Sequence, residues 1–373
     1  MNQLFRRMHY NLVNLFRGPR SMATMQEMIL QMHLGHDKII GSENGLPVRS
    51  MIIPSEHSNA FIRSGAKLLN SMRYGIVYPG MATLAITGNC NCACTHCIGG
   101  FNKGDDISAK QWIEGMRTLS ELGVFVYLFL GGEPMMKEDL PEIISGIDQN
   151  KSIPVVFTNG SLIEERIDSL KQAGLNRVFV SIDYASEKHD KNRNHKGLFT
   201  KICRGIEAIK RRGMMVGLST YTDKERFENG SLQSIIDMAS EYKVDEVFMI
   251  DSLPAECVTK LQPKTSSDIE SEKAIDRWIE QLWQSPDAPG IYWYKYVRSI
   301  NSCGCFAGRS GLHISNNGDI NPCFSIMDKF GNITEGNIKQ SWLEMNRQIS
   351  EESRKLNYKC LYTERLREQG SKD

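Results

Sequence analysis

From Met81 onward the sequence alternates short β-rich runs with helical patterns, and this rhythm restricts the chain to a parallel sheet covered by helices. The β-rich runs occupy residues 82–87, 124–130, 153–158, 177–182, 214–220 and 245–250. They are apolar nearly throughout, as strands covered on both faces are. In the helical pattern 108–122, Ser108 stands at the N-cap position. Trp112, Ile113, Met116, Leu119 and Leu122 follow as one apolar stripe. Further helices are expected at 162–173, 198–212 and 231–242. Six such units in a row predict an α/β fold, an open or partial (β/α)6 barrel. A chain of 373 residues can build one such core with smaller attachments.

On both sides of this stretch the rhythm is absent. We expect a mostly helical N-terminal extension at 1–78, the barrel at 79–255 and a linker with a helix at 256–300. A small α+β domain at 301–349 and a charged tail at 350–373 complete the chain. Near the start, Leu4, Phe5, Met8, Leu12, Leu15 and Phe16 share one helical face, with Arg6, Arg7, Arg17 and Arg20 elsewhere and no acid before Glu27. Such a helix can make peripheral contact with an anionic membrane. It can equally dock on the barrel or on a partner subunit, as amphipathic helices ordinarily do. The formal net charge of +1 gives no global field to draw nucleic acid, and none is expected as a partner. The first twenty residues carry no secretory pattern, and no later run is apolar enough to span a bilayer. The chain therefore reads as cytoplasmic, where clustered thiols point to metal or catalysis rather than to disulfides.

The thiols are clustered. Directly after the first strand comes Cys90-Asn-Cys-Ala-Cys94-Thr-His-Cys97. Three thiolates at this C-x3-C-x2-C spacing can hold three corners of an iron–sulfur cubane and leave the fourth iron open to a chelating ligand. The loop follows the carboxyl end of a strand, where parallel α/β sheets place their substrate sites. The alternative is a zinc knot, in which Cys94 and Cys97 pair with Cys303, Cys305 or Cys323 and Cys90 has no role. Further along, strand two ends in Gly131-Gly132-Glu133-Pro134, where glycines permit close approach of a ligand and Glu133 offers a carboxylate to an amine. Strand three ends in Thr158-Asn159 and strand four in Ser181-Ile-Asp183. These short polar side chains can meet ribose hydroxyls or a carboxylate, or Asn159 and Ser161 can cap the next helix.

In motif and order, over roughly 81–345, the sequence resembles the radical S-adenosylmethionine (radical SAM) superfamily. The resemblance implies a [4Fe–4S] cluster on Cys90, Cys94 and Cys97, with S-adenosylmethionine chelated to it. His96 then stands near the adenine, and Gly131, Gly132 and Glu133 near the methionine amine. Thr158, Asn159, Ser181 and Asp183 line the cofactor or substrate side. The run His189-Asp190-Lys-Asn-Arg193 matches a family segment whose arginine can pair with the cofactor carboxylate; His189 and Asp190 have an alternative as loop-ordering residues. Cys92 is surplus to the motif and expected not to be a ligand. Cys203 and Cys257 are read as packing thiols.

Residues 305–323 read as cysteine, strand, glycine turn, strand, cysteine, a hairpin that brings Cys305 and Cys323 together. This resembles the auxiliary-cluster extension called SPASM, or its shortened twitch form. With Cys303 and Cys360 it supports one auxiliary [4Fe–4S] cluster, held by three thiols or four. The resemblance implies reductive cleavage of S-adenosylmethionine to a 5′-deoxyadenosyl radical, fed by a low-potential flavodoxin or ferredoxin. Iron–sulfur potentials span about −700 to +450 mV, so the donor must lie at the low end. The substrate is not identified by the sequence; peptides, tetrapyrrole side chains, lipids and other small molecules all fit. The competing class is an iron–sulfur scaffold or electron carrier on the same fold.

Overall fold

The structure is a computed structural model that describes residues 34–74, 77–97, 104–251, 266–299, 302 and 304–370. The basic helix expected near the N-terminus lies outside the described residues, as do Cys257 and Cys303.

The strands are β1 (Gly41–Glu43), β2 (Leu46–Val48), β3 (Met81–Thr87), β4 (Val126–Gly131), β5 (Ile153–Thr158), β6 (Arg177–Ser181), β7 (Met215–Thr222), β8 (Glu246–Asp251), β9 (Gly290–Trp293), β10 (Gly311–Ile314) and β11 (Ile320–Asn321). The described helices are α1 (Asn59–Tyr74), α2 (Ala109–Leu122), α3 (Leu140–Ser145), α4 (Ile163–Gln172), α5 (Lys188–Arg193), α6 (Leu198–Arg211), α7 (Lys224–Glu228), α8 (Ser231–Glu241), α9 (Ser266–Gln284), α10 (Tyr294–Val297), α11 (Ile338–Lys355) and α12 (Leu361–Gly370). Ser108 caps α2 as expected and forms a reciprocal capping box with Gln111.

Strands β3 to β9 lie side by side in sequence order and all parallel, with β10 parallel to β3 on the outer edge and β11 antiparallel to β10. The sheet has two free edges, so it is an open barrel. Two points differ from the sequence reading. Residues 290–293 were expected beyond the barrel, yet they pair with β8 as a further parallel strand after α9. The first strand of the C-terminal hairpin pairs with β3, so the small domain grows out of the barrel sheet itself. The sequence reads both as strands, an aromatic one at 291–297 and the first of the hairpin within 305–323; at four residues each they carry no local sign of which strand they pair with.

Alternate residues of each strand face opposite cores. Tyr127, Phe129, Val156, Val178, Val180, Val216 and Leu218 pack under the helices. Val126, Leu128, Val155, Phe179, Phe248 and Tyr292 fill the inner face, joined there by Leu34, Val48, Met51 and Ile52 from the N-terminal segment. That segment closes the amino end of the barrel. Arg177, the first residue of β6 and only 1% exposed, donates to the carbonyls of Met51 (3.0 Å) and Ile53 (2.5 Å), to Glu43 (2.7 Å) and to Ser55 (2.9 Å). Glu246, the first residue of β8, accepts from the Met51 amide. With this end plugged, the carboxyl end is the open one, and it carries the cysteine loop. Among the described residues no helix is long and apolar enough to cross a membrane.

Candidate active site

The cysteine loop leaves β3 at Thr87 and is held on three sides. The first support is the turn after β4. Gly131 has φ 128°, and a Cβ there would stand 2.6 Å from the Thr87 carbonyl; one on Gly132 would stand 2.0 Å from that of Asn89. The glycines are thus required by the approach of two backbone segments, where the sequence reading had them approach a ligand. The amides of Gly132 and Glu133 donate to Thr87 (2.9 Å) and Asn89 (2.7 Å). The Glu133 carboxylate, 1% exposed, accepts from Thr158 Oγ1 (2.6 Å), the Asn159 amide (2.6 Å) and the Met135 amide (2.9 Å). Burial pushes its pKa up to about 7. It ties β4 to β5.

The second support is the end of β5. Asn159 Nδ2 donates to Asn91 Oδ1 (2.8 Å) and reaches Cys92 Sγ (3.3 Å), while Asn91 donates to Ser161 Oγ (2.9 Å). Helix α4 starts at Leu162 without a side-chain cap, so Asn159 and Ser161 serve the loop in its place.

Helix α5 is the third support. The amides of Ala93 and Thr95 donate to the carbonyls of Arg193 (3.1 Å) and Asn192 (3.0 Å), and Thr95 Oγ1 donates to Asn192 Oδ1 (2.7 Å). Arg193 was expected to pair with the cofactor carboxylate. Its guanidinium binds Asp183 in two-pronged fashion, Nε to Oδ2 and Nη2 to Oδ1, both at 2.9 Å. Asp183 also accepts from Asn192 Nδ2 (2.8 Å), and His96 Nε2 stands 3.5 Å away. Although burial opposes it, the Arg193 charge holds the Asp183 carboxyl well below the usual range. Burial lowers the pKa of His96, and Asn192 Nδ2 lies 3.2 Å from its Nδ1. His189 accepts the Asp183 amide (3.0 Å) and Asp190 the Phe199 amide (2.7 Å), the loop-ordering alternative for both. Ser181 ends β6 half-buried at the same rim.

Sequence reasoning missed several residues here. Arg226, 1% exposed, donates to the carbonyls of Asp183 and Tyr221 and to Thr220 Oγ1 (3.0 Å), and lies over the Tyr221 ring. Tyr221 packs on the His96 ring at 4.8 Å. Asp106 accepts from the Gly88 amide (3.1 Å) and from Asn316 in the β10–β11 turn (2.9 Å), so the C-terminal hairpin clips the return of the cysteine loop. The signal in the sequence was weak: isolated Asp, Asn and Arg in loops.

Cys90 and Cys97 are exposed and Cys94 is half-buried. Cys92 hydrogen-bonds both Cys90 and Cys94 and, with the Arg193 charge, lowers their pKa values to about 6 and about 7; its own is raised. Thiols poised to ionise on an exposed loop fit ligands of an iron–sulfur cluster. Among the described residues, the loop cysteines included, no group of three or more His, Cys, Asp or Glu stands where it could hold a metal ion.

A second thiol group lies in the C-terminal domain. Cys305, Cys323 and Cys360 line one cavity with Tyr294, Arg298 and Tyr362. Burial raises the pKa of Cys305 and pushes that of Cys323 up to about 12, with neighbouring thiolates adding to the effect. Such thiols ionise readily only against positive charge, which suits a cluster site. None of the loop cysteines lines this cavity. Cys203 packs partly buried against the core.

Comparison with known proteins agrees with this geometry. Residues 84–229 match the radical SAM superfamily, and residues 303–362 match the iron–sulfur cluster-binding domain SPASM. A Methanosarcina barkeri protein named Fe-coproporphyrin III synthase is 32% identical over 203 residues, 52% of this chain and 50% of that protein. The chain thus spans about half the length of that relative. A protein named AdoMet-dependent heme synthase, from Oleidesulfovibrio alaskensis, is 23% identical over 319 residues, 78% of this chain and 81% of its own. Streptococcus suis SuiB bound to S-adenosylmethionine shares the fold with a TM-score of 0.57 at 18% identity, covering 76% of this chain and 70% of its own. The chain carries a radical SAM domain over residues 84–229 and a SPASM iron–sulfur domain over residues 303–362.

Proposed function

We propose that the protein cleaves S-adenosylmethionine reductively at a [4Fe–4S] cluster on Cys90, Cys94 and Cys97, and that the resulting 5′-deoxyadenosyl radical abstracts hydrogen from a substrate admitted at the carboxyl end of the barrel. The observation that supports this most is the placement of the thiol loop. It is exposed at the open end of a barrel whose other end is plugged, and it is braced by β4, β5 and α5. When bound, the cluster supplies one electron to the sulfonium, releasing methionine. The protein's own work is positional. Asp183, Arg193 and Asn192 fix the loop, and Glu133 fixes the glycine turn from behind. The amine of S-adenosylmethionine is expected at the turn of Gly131, Gly132 and Glu133. His96 and Tyr221 offer ring faces at the mouth, a surface suited to an adenine.

A low-potential flavodoxin or ferredoxin is the electron donor we expect, in the cytoplasm. The relatives named for coproporphyrin and heme synthesis make tetrapyrrole side chains the first substrates to offer, ahead of peptides. The test is an anaerobic incubation of reconstituted protein with S-adenosylmethionine and dithionite. 5′-Deoxyadenosine and methionine should form and be abolished by Cys94→Ala. A protein that holds iron yet never cleaves the cofactor would overturn the reading and leave a scaffold.

A further inference from the structure

Among the described residues that line the cavity of Cys305, Cys323 and Cys360, Arg298 is the one cation, and it comes from the barrel side. Arg298 follows α10 directly, and its Nη1 lies 3.1 Å from Cys360 Sγ. Its Nη2 pairs with Asp251, the last residue of β8 at the open end of the barrel. The guanidinium lies near the ring of Tyr294, 5.3 Å from its centre. Arginine does not lose its charge in proteins, and its flat fork can serve two anionic partners at once. Both side chains of the ion pair are largely shielded from water, 14% and 23% exposed, so the charges are felt at short range. The result is a fixed bridge from a barrel strand to a thiol of the auxiliary site.

We propose that Arg298 is a positioning residue for the auxiliary iron–sulfur cluster and sets its reduction potential, with Asp251 holding the guanidinium and offsetting part of its charge. This rests on the reading that Cys305, Cys323 and Cys360 hold that cluster. Reduction adds one negative charge to the cluster, and a cation hydrogen-bonded to a ligand sulfur favours the reduced form. Removing the cation therefore lowers the potential. Removing the carboxylate unmasks the cation and raises it. A merely structural ion pair predicts no such opposition, since loss of either partner breaks the same contact.

The experiment uses the full-length chain with Cys90, Cys94 and Cys97 replaced by alanine, so that only the auxiliary signal remains. Arg298→Gln, Arg298→Lys and Asp251→Asn are added singly, and each protein is reconstituted anaerobically, assayed for iron and titrated electrochemically by EPR. The expected result is about four irons per chain in each, a lower midpoint for Arg298→Gln, a higher one for Asp251→Asn, and a near-parental one for Arg298→Lys. Loss of iron in Arg298→Gln alone, with the other two shifts as stated, also supports the assignment. Shifts of one sign in Arg298→Gln and Asp251→Asn, or none with iron retained, overturn it. A parent chain that binds no iron overturns the auxiliary-cluster reading itself, and the assignment with it.

Discussion

Asp183 is held from four directions, by Arg193, Asn192, His96 and the turn at His189. Its folded-state pKa is depressed by the Arg193 charge, so it contributes stability above the unfolded carboxylate value of about 3.9, and that contribution is lost as pH falls below it. Asp183→Asn leaves a buried guanidinium without its anion and should cost about 3–5 kcal/mol, read as a lower denaturation midpoint. Glu133 has the opposite sign. Burial raises its pKa to about 7, so its ionisation opposes folding, and stability declines as pH rises from about 4.3 through about 7. Glu133→Ala leaves a hydroxyl and two amides without their acceptor, which costs about 1–3 kcal/mol. Iron content should hold, because no ligand is removed; a large loss of iron would show that Glu133 does more than join β4 to β5. At this scale the sequence identified which residues matter but not whom they touch. Arg193 and Glu133 stood out from their motifs, yet each is satisfied by protein groups 10 or more positions away, and such pairings form only once the strands lie side by side.

The elements were far easier to read. The six apolar runs became β3 to β8 with ends displaced by a residue or two, because continuous apolar strands and capped helices announce themselves locally. The short strands β9 and β10 were legible as strands but not as members of the barrel sheet, and the hairpin of β1 and β2, whose place under the barrel is fixed by Arg177, gave no signal. Arg177→Met removes a buried cation from Glu43 and from the carbonyls of the plug. It should lower stability by about 3–5 kcal/mol, whereas Lys355→Met in the exposed pair with Glu351 should change it by less than about 1 kcal/mol. Equal effects in denaturant titrations would show that the plug is not held by this residue. In the C-terminal hairpin, replacing Cys305 and Cys323 together should reduce iron from about eight to about four atoms per chain. An unchanged iron count would remove the auxiliary site.

For the whole molecule, the layout assigns different work to the two ends of the barrel. The amino end is filled by the N-terminal segment, and an aromatic group of Phe157, Phe179, Phe248 and Tyr292 stands on the inner face of the sheet. The carboxyl end carries the exposed thiol loop, and Arg298 joins the SPASM domain to that end, while β10 extends the sheet beside the first half of β3. Everything depends on the loop holding a cluster that still has room for a ligand. The most direct measurement uses the chain with Cys305, Cys323 and Cys360 replaced, reconstituted anaerobically and reduced, with its EPR spectrum recorded before and after S-adenosylmethionine is added. The structure predicts about four irons per chain and a spectrum that changes on addition. A colourless zinc protein, or a cluster whose spectrum ignores S-adenosylmethionine, would contradict it.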